Sequence, residues 1–241
     1  MKTGGKKYEL TGETKTLADG AVLRRIRAVR DFILANGANV RAGDLGGWIE
    51  CEENLSHDGS AWVYDNAAVS DNARIFGGAR VFGNAMVSGA ALVGNDARIR
   101  DDVLVGGEAR VGGRAEVFGN ADVFAKAWVC GNANVCGNAR IFGNAVVGGE
   151  AIVGGEAQIF GNAEVCDIND YSLFKNTWSS GQWFTYTRSD KMWAVGCFRG
   201  TGEELIAKAY GDSMLSGQCY MAIVRAQEAI DKAIEKEQRA K

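Results

Sequence analysis

Two kinds of side chain in this 241-residue sequence could do chemistry. The first is the one imidazole, His57, in the run Leu55-Ser56-His57-Asp58-Gly59. An imidazole titrates near neutral pH, so it could take a proton from an attacking hydroxyl or amine. It could equally be a turn histidine bonded to nearby backbone. The second is a set of arginines at regular spacing: Arg80 with Arg98 and Arg100, and Arg74 with Arg110. Guanidinium groups held close together favour a phosphate-type anion between them. Phe82 and Phe118 occur nearby, so a nucleotide-like ligand with a ring to stack fits the same residues. The competing fate of these arginines is solvation, or pairing with Asp101, Glu108 and Glu116. No Ser/His/Asp set, phosphate loop or carboxylate pair stands out, and nothing calls for a cofactor.

The arginine spacing has meaning only on a regular scaffold, and the sequence supplies one. From Gly59 to Cys166 it divides into 18 hexads without insertion, beginning GSAWVY, DNAAVS, DNARIF and ending GNAEVC. The fifth place is always Val or Ile, and the third is Ala except at Val103. The third and fifth places therefore face one way on a short strand, and the fourth and sixth face the other. Gly holds the first place in 13 hexads, where a corner needs positive φ. Three hexads make one triangular coil, so the repeats give six coils and a prism about 29 Å long. Val and Ile fill the interior, each worth about 1.5–3 kcal/mol when buried. The sequence contains no proline, which fits strands that each need their N–H for the next coil.

The pattern Val/Ile, any residue, Gly, Asn, Ala, any residue resembles the hexapeptide repeat of the left-handed parallel β-helix superfamily. That resemblance implies an all-β, single-stranded left-handed helix and a trimeric assembly. The superfamily includes acyltransferases, which commonly use a His base between two prisms, and many non-enzymes. It would make His57 the base, yet the unbroken hexads lack the inserted loop that many such enzymes carry. YELTGETKTL, RIRAVRDF, AGDLGGWIE, ENLSHDGSAWVYDNA and the later WAVGCFRGTGEEL resemble a group of phage and prophage hexapeptide-repeat proteins called putative transferases or polymer-forming proteins. That resemblance implies a phage-infected or lysogenic bacterial host and a cytoplasmic location.

The ends are expected to cap the prism, giving three segments: 1–58, 59–166 and 167–241. Lys7–Leu17 and Val22–Phe32 read as a hairpin around Ala18-Asp19-Gly20, with Arg24 and Arg30 on one side and Arg25 and Arg27 on the other. Residues 39–50 read as a degenerate coil with Leu45 and Ile49 inward. Residues 181–198 read as a second, aromatic hairpin, either a core over the last coil or a stacking platform for a base. Thr201 and Glu204 form a capping box, starting a helix that runs to about Tyr210 and stops at Gly211. A second helix from about Gly217 carries Cys219, Ile223, Ala226, Ile230, Ala233 and Ile234 as one stripe for docking, before a frayed tail.

Composition narrows the partners. A net charge of −3 gives no general pull toward DNA, RNA or anionic membrane. The sequence has no run of 18 apolar residues and its first ten residues lack a signal-peptide core. Six cysteines without Cys/His ligand spacing read as reduced apolar fillers, with no metal site. Sorting outward places by face gives apolar strips, including Leu92, Trp128 and Val146 beside Gly94, Gly112 and Gly148, that fit a homotrimer. The sequence therefore reads as a non-enzymatic, oligomeric binding protein that sequesters a nucleotide-like anion or blocks a host defence component. An acyltransferase is the alternative, and a structural polymer the third.

Overall fold

A computed structural model describes residues 5–239. Its body is a parallel β-solenoid of three sheets. One contains the strands starting at Trp62, Arg80, Arg98, Glu116, Asn134 and Ile152. Ala68 and Arg74 begin the strands that open the other two faces. Cα partners lie 18 residues apart throughout, as in Arg80 opposite Arg98. Every third-place Ala and fifth-place Val or Ile is buried, most of them completely.

All 18 first places have positive φ. Thirteen are the repeat glycines, and the others are Asp65, Asp71, Asn95, Asp101 and Ala125. Space as well as φ selects glycine: a Cβ on Gly131 would lie 2.8 Å from the Gly149 backbone N and O. At three of the exceptions the side chain adds a bond to the next coil. Asp65, Asp71 and Asp101 accept from the N–H groups of Gly83, Gly89 and Gly119. Asx residues tolerate this left-handed region for that reason.

Within the paired strands the coils exchange hydrogen bonds both ways, as parallel ladders do, but the corners and strand ends are polarised. There each coil's N–H groups donate to the carbonyls of the following coil, as Trp62 does to Ala79 and Asn66 to Gly83. At these places the first coil therefore offers bare carbonyls and the last offers bare N–H groups. Both rows would be costly if left unpaired.

The N-terminal segment supplies donors. Strands β1 (Tyr8–Thr16) and β2 (Val22–Ala28) form the expected hairpin, and β3 (Phe32–Ile33) pairs with β4 (Asn39–Val40). Strand β5 (Leu45–Ile49) joins β2 to the solenoid, pairing Trp48 with Ala68 and Ile49 with Val69. With the Leu55–Ile75 bridge it makes a partial seventh turn. The Trp48 and Glu50 N–H groups donate to Ala67 and Val69, and Ser56 N–H to Ile75. Asn54 Nδ2 reaches the carbonyls of Asp71 and Ala73, both at 2.9 Å. Lys7 Nζ reaches Ala61 O at 2.8 Å.

Two expectations here need correction. Leu45 is 45% exposed, because the register aligns Ile49 with Val69 and puts Gly47 in the Ala place. A Cβ on Gly47 would lie 2.7 Å from Ala67 O, which excludes even alanine. The arginines of β2 do not alternate simply: a register shift between Arg25 and Arg27 lets Leu23, Ile26 and Ala28 all bury, and Arg30 lies past the strand.

The C-terminal segment supplies acceptors. The expected hairpin, Trp183–Thr187 with Met192–Val195, is the centre of a four-stranded antiparallel sheet completed by Tyr171–Lys175 and Phe198–Gly200. Thr185 Oγ1 accepts from Gln158 N–H at 2.9 Å, Ser189 Oγ from Glu164 N–H at 2.8 Å, and Asp170 Oδ2 from Cys166 N–H at 2.7 Å. Phe184, Tyr186 and Trp193 are buried, with Phe184 4.7 Å from Tyr220, so these rings form a core and no open platform. Arg199 lies over Phe142 and Phe160 at 5.3 and 5.2 Å, docking the sheet on the Phe124–Phe142–Phe160 ladder.

Helix α1 (Gly202–Asp212) starts at the Thr201–Glu204 capping box and runs past Gly211. Helix α2 (Met214–Arg239) starts earlier than expected and stays helical to Arg239. The apolar stripe is not its docked face within the chain: Ile230 is 45% exposed, and Ala226 and Ala233 are exposed. The buried face is Ser216, Gly217, Val224, Gln227 and Asp231. Asp231 accepts from Tyr186 OH and Gln227 and pairs with Arg188, while Gly217 lets the Tyr210 ring approach closely. Polar anchoring and one close contact thus set the rotation of α2, against the apolar pattern.

Candidate anion-binding groove

Parallel pairing stacks equivalent residues about 4.8 Å apart, so a column of arginines becomes a cluster. Arg80 and Arg98 are direct Cα partners on one face. Arg114 projects from the neighbouring corner column, eighteen residues after Asp96. These residues, with Glu116 and Ala35, line a cleft of about 420 Å³. Ala35 belongs to the β3–β4 hairpin, which overhangs this side.

The charges in the cleft are not equally satisfied. Arg98 forms an ion pair with Glu116. Arg80 Nε is shut from solvent yet has no hydrogen-bond partner, and burial and then the nearby Arg98 lower its pKa. Neither Arg80 nor Arg114 forms an ion pair among the described residues. A buried polar atom without a partner carries a desolvation cost that an acceptor in the cleft would remove.

The other arginines chosen from sequence go elsewhere. Arg100 pairs with Asp101 at 2.8 Å and covers the Phe118 ring at 4.1 Å, so Phe118 is occupied within the chain. Arg110 lies on another face in a cleft with Glu108, Lys126 and the half-exposed Trp128. Arg74 lines a cavity of about 470 Å³ with His57, Glu52 and Phe76. Phe82 remains beside Arg80: both line a smaller cavity of about 230 Å³ with Tyr64, Asp65, Leu34 and Asn36. Arg114 escapes the outward pattern of fourth and sixth places because it occupies a second, corner place. Its 18-residue offset from Asp96 was the available signal.

His57 is held as part of the cap. Its ring stacks on Tyr8 at 4.3 Å, and its Nδ1 accepts the Lys7 backbone N–H at 3.2 Å. An amide N–H can only donate, so Nδ1 carries the lone pair and the proton of the neutral ring sits on Nε2. Nε2 lies 3.9 Å from Glu52 Oε2. Burial lowers the His57 pKa, with Glu52 opposing, so the neutral form prevails at pH 7. In that form neither nitrogen is free to accept a substrate proton.

The six cysteines are free thiols. Among the described residues no group of His, Cys, Asp and Glu could hold a metal, and no helix is long and apolar enough to cross a membrane.

Hexads, parallel coils and their 18-residue register make this chain a hexapeptide-repeat β-helix protein. Residues 79–95 and 133–149 match the family described as YdcK Beta solenoid repeat. The first of these stretches contains Arg80 and Phe82. The chain is also 37% identical over 71 residues to a protein of Escherichia coli (strain K12) described as "Uncharacterized acetyltransferase YdcK". The match covers 27% of this chain and 20% of that relative, so it spans about a fifth of the relative's length.

Proposed function

We propose that this protein is a non-enzymatic binding rod that holds a phosphate-bearing anion in the groove formed by Arg80, Arg98 and Arg114. The observation that carries this is Arg80, an unpaired guanidinium with a buried orphan Nε, facing Arg98 across adjacent strands. Each charge-assisted bond to an anion is worth about 1.5–3 kcal/mol, or roughly tenfold to a hundredfold in affinity. In a phage-infected or lysogenic cell such a rod would sequester a host anion. The apolar strip of Leu92, Trp128 and Val146 supports assembly as a trimer, and the donor and acceptor caps argue against end-to-end polymers. A thermal-shift screen with inorganic phosphate, pyrophosphate and nucleotides tests the groove. A shift that disappears in the Arg80→Ala/Arg98→Ala double variant is expected, and no shift with any of these anions sinks the reading. Light scattering tests the assembly; a clean 25.7 kDa species would remove the trimer.

The relative's name favours a second reading, acyl transfer. Its test is thiol release from acetyl-CoA with candidate acceptors. Release that is lost in His57→Ala would support it over the binding rod. The bond from Lys7 N–H to His57 Nδ1 speaks for the rod.

A further inference from the structure

The geometry points to a nucleotide as the ligand, with its base in the slot formed by Tyr64, Phe82 and the β3–β4 hairpin and its phosphates in the arginine groove. This rests on the anion-binding reading of the groove and adds a second subsite to it. Three observations carry it.

The first is continuity. Arg80 lines both the cleft of about 420 Å³ and the cavity of about 230 Å³, so the two spaces meet at its guanidinium. Small-molecule clefts fall in the range of roughly 300–1,000 Å³. The arginine-lined part is polar, and the smaller part is walled by Leu34, Ala38, Tyr64 and Phe82. A ligand filling both needs a charged end and a flat apolar end.

The second is the state of the rings. Several outward aromatic rings of the solenoid are in use, although Phe76 and Trp128 stand exposed on the other faces. Phe124, Phe142 and Phe160 stack at 5.5 and 5.9 Å, and Phe118 lies under Arg100. Tyr64 and Phe82 lie one coil apart in a single column, yet they form no ring contact with each other. Phe82 has no ring or cation–π partner among the described residues. An unstacked ring beside an unpaired guanidinium is the pairing that base and phosphate require.

The third is the polar rim. Asp65 sits on a corner with φ +51°, fixed by its bond to Gly83 N–H, and keeps one carboxylate oxygen free. Asn36 Oδ1 accepts Ala38 N–H, which leaves the Asn36 amide group as a donor at the slot. An acceptor and a donor at the mouth suit the edge of a base, whereas a bare phosphate would be repelled by Asp65.

The experiment is calorimetric titration of the full chain with GDP, ADP, ribose 5-phosphate and pyrophosphate, repeated on Phe82→Ala, Phe82→Leu and Arg80→Ala. At least one nucleoside diphosphate is expected to bind about fivefold to a hundredfold tighter than pyrophosphate, the range that stacking one base provides. Phe82→Ala should erase that advantage and leave pyrophosphate affinity unchanged. Phe82→Leu keeps the apolar volume without the ring, and should erase most of it even if the alanine variant folds poorly. Arg80→Ala should weaken all phosphate ligands together. If pyrophosphate matches both nucleotides, or if Phe82 variants weaken all ligands equally, the base slot is refuted and the anion groove survives. If none of the four binds, the groove itself falls.

Discussion

Lys7 is fully buried at the carbonyl end of the solenoid, and its titration gives a measurable signature. Its Nζ donates to Ala61 O at 2.8 Å and lies 5.6 Å from the Phe32 ring centroid. Its side chain forms no ion pair among the described residues. Burial, then Arg30, pulls its pKa from 10.5 down to about 8, with Asp58 opposing. In the unfolded chain it stays near 10.5. Between pH 8 and 10.5 the unfolded state therefore binds more protons, and stability rises with pH in that window. At 1.36 kcal/mol per pH unit, keeping this ammonium charged in the fold at pH 7 costs about 3 kcal/mol, of which about 1.4 is regained by pH 9. Lys7→Met removes the charge but orphans the Ala61 carbonyl, which costs about 1–3 kcal/mol. The two proteins should thus be close in stability at pH 7 and diverge above it. Urea unfolding followed by tryptophan fluorescence at pH 7, 8 and 9 reads this directly. The wild-type protein should gain about 1.4 kcal/mol relative to the variant between pH 7 and 9. Tyr64, Cys51 and Cys130, raised by burial, lower stability at high pH in both proteins and cancel in the difference. Parallel pH profiles for the two proteins would refute a buried ammonium as the cap.

Other outcomes follow from particular positions. Gly131→Ala should cost at least about 2 kcal/mol in urea unfolding, because its Cβ would meet the next coil's backbone at positive φ. Ala125→Gly should instead stabilise by up to about 1 kcal/mol by relieving φ +60°. Val111→Asp puts an unpaired carboxylate inside the prism and should abolish cooperative unfolding. Thr185→Val leaves Gln158 N–H without its acceptor and should speed hydrogen exchange there while costing about 1–3 kcal/mol. With one histidine in the chain, nitrogen NMR at pH 7.5 should show the Nε2–H tautomer. An Nδ1–H signal would free Nε2 as a base and revive acyl transfer.

How much of this was legible depended on range. The hexads encode their own register, because a one-residue slip would turn Val and Ala outward, so coil number and faces could be read off directly. The caps could not. Lys7 meets Ala61, Asn54 meets Ala73 and Thr185 meets Gln158, pairings that no local pattern announces. On α2 the pattern misled: Ile230 and Ala233 form the apolar stripe, but the bonds of Asp231 to Tyr186 and Arg188 turn a different side inward. At the candidate site, the cross-strand position of Arg80 and Arg98 was readable. That Arg100 spends itself on Asp101 and Phe118, and that Arg114 replaces it, depends on side-chain geometry at the corners.

The identical register of every coil makes the rod's length an independent variable. Each turn presents the same bonding edge below and the same bonding edge above, so neither end registers how many turns lie between. Removing 18 residues from the middle would shorten the rod by one turn, about 4.8 Å, and leave both ends seated. Removing six or twelve would rotate one end by a third or two thirds of a turn, setting Thr185 and Ser189 against the wrong sides. The solenoid is thus a ruler graduated in whole turns, fixing both the height and the angular bearing of the Arg80 groove relative to the C-terminal sheet.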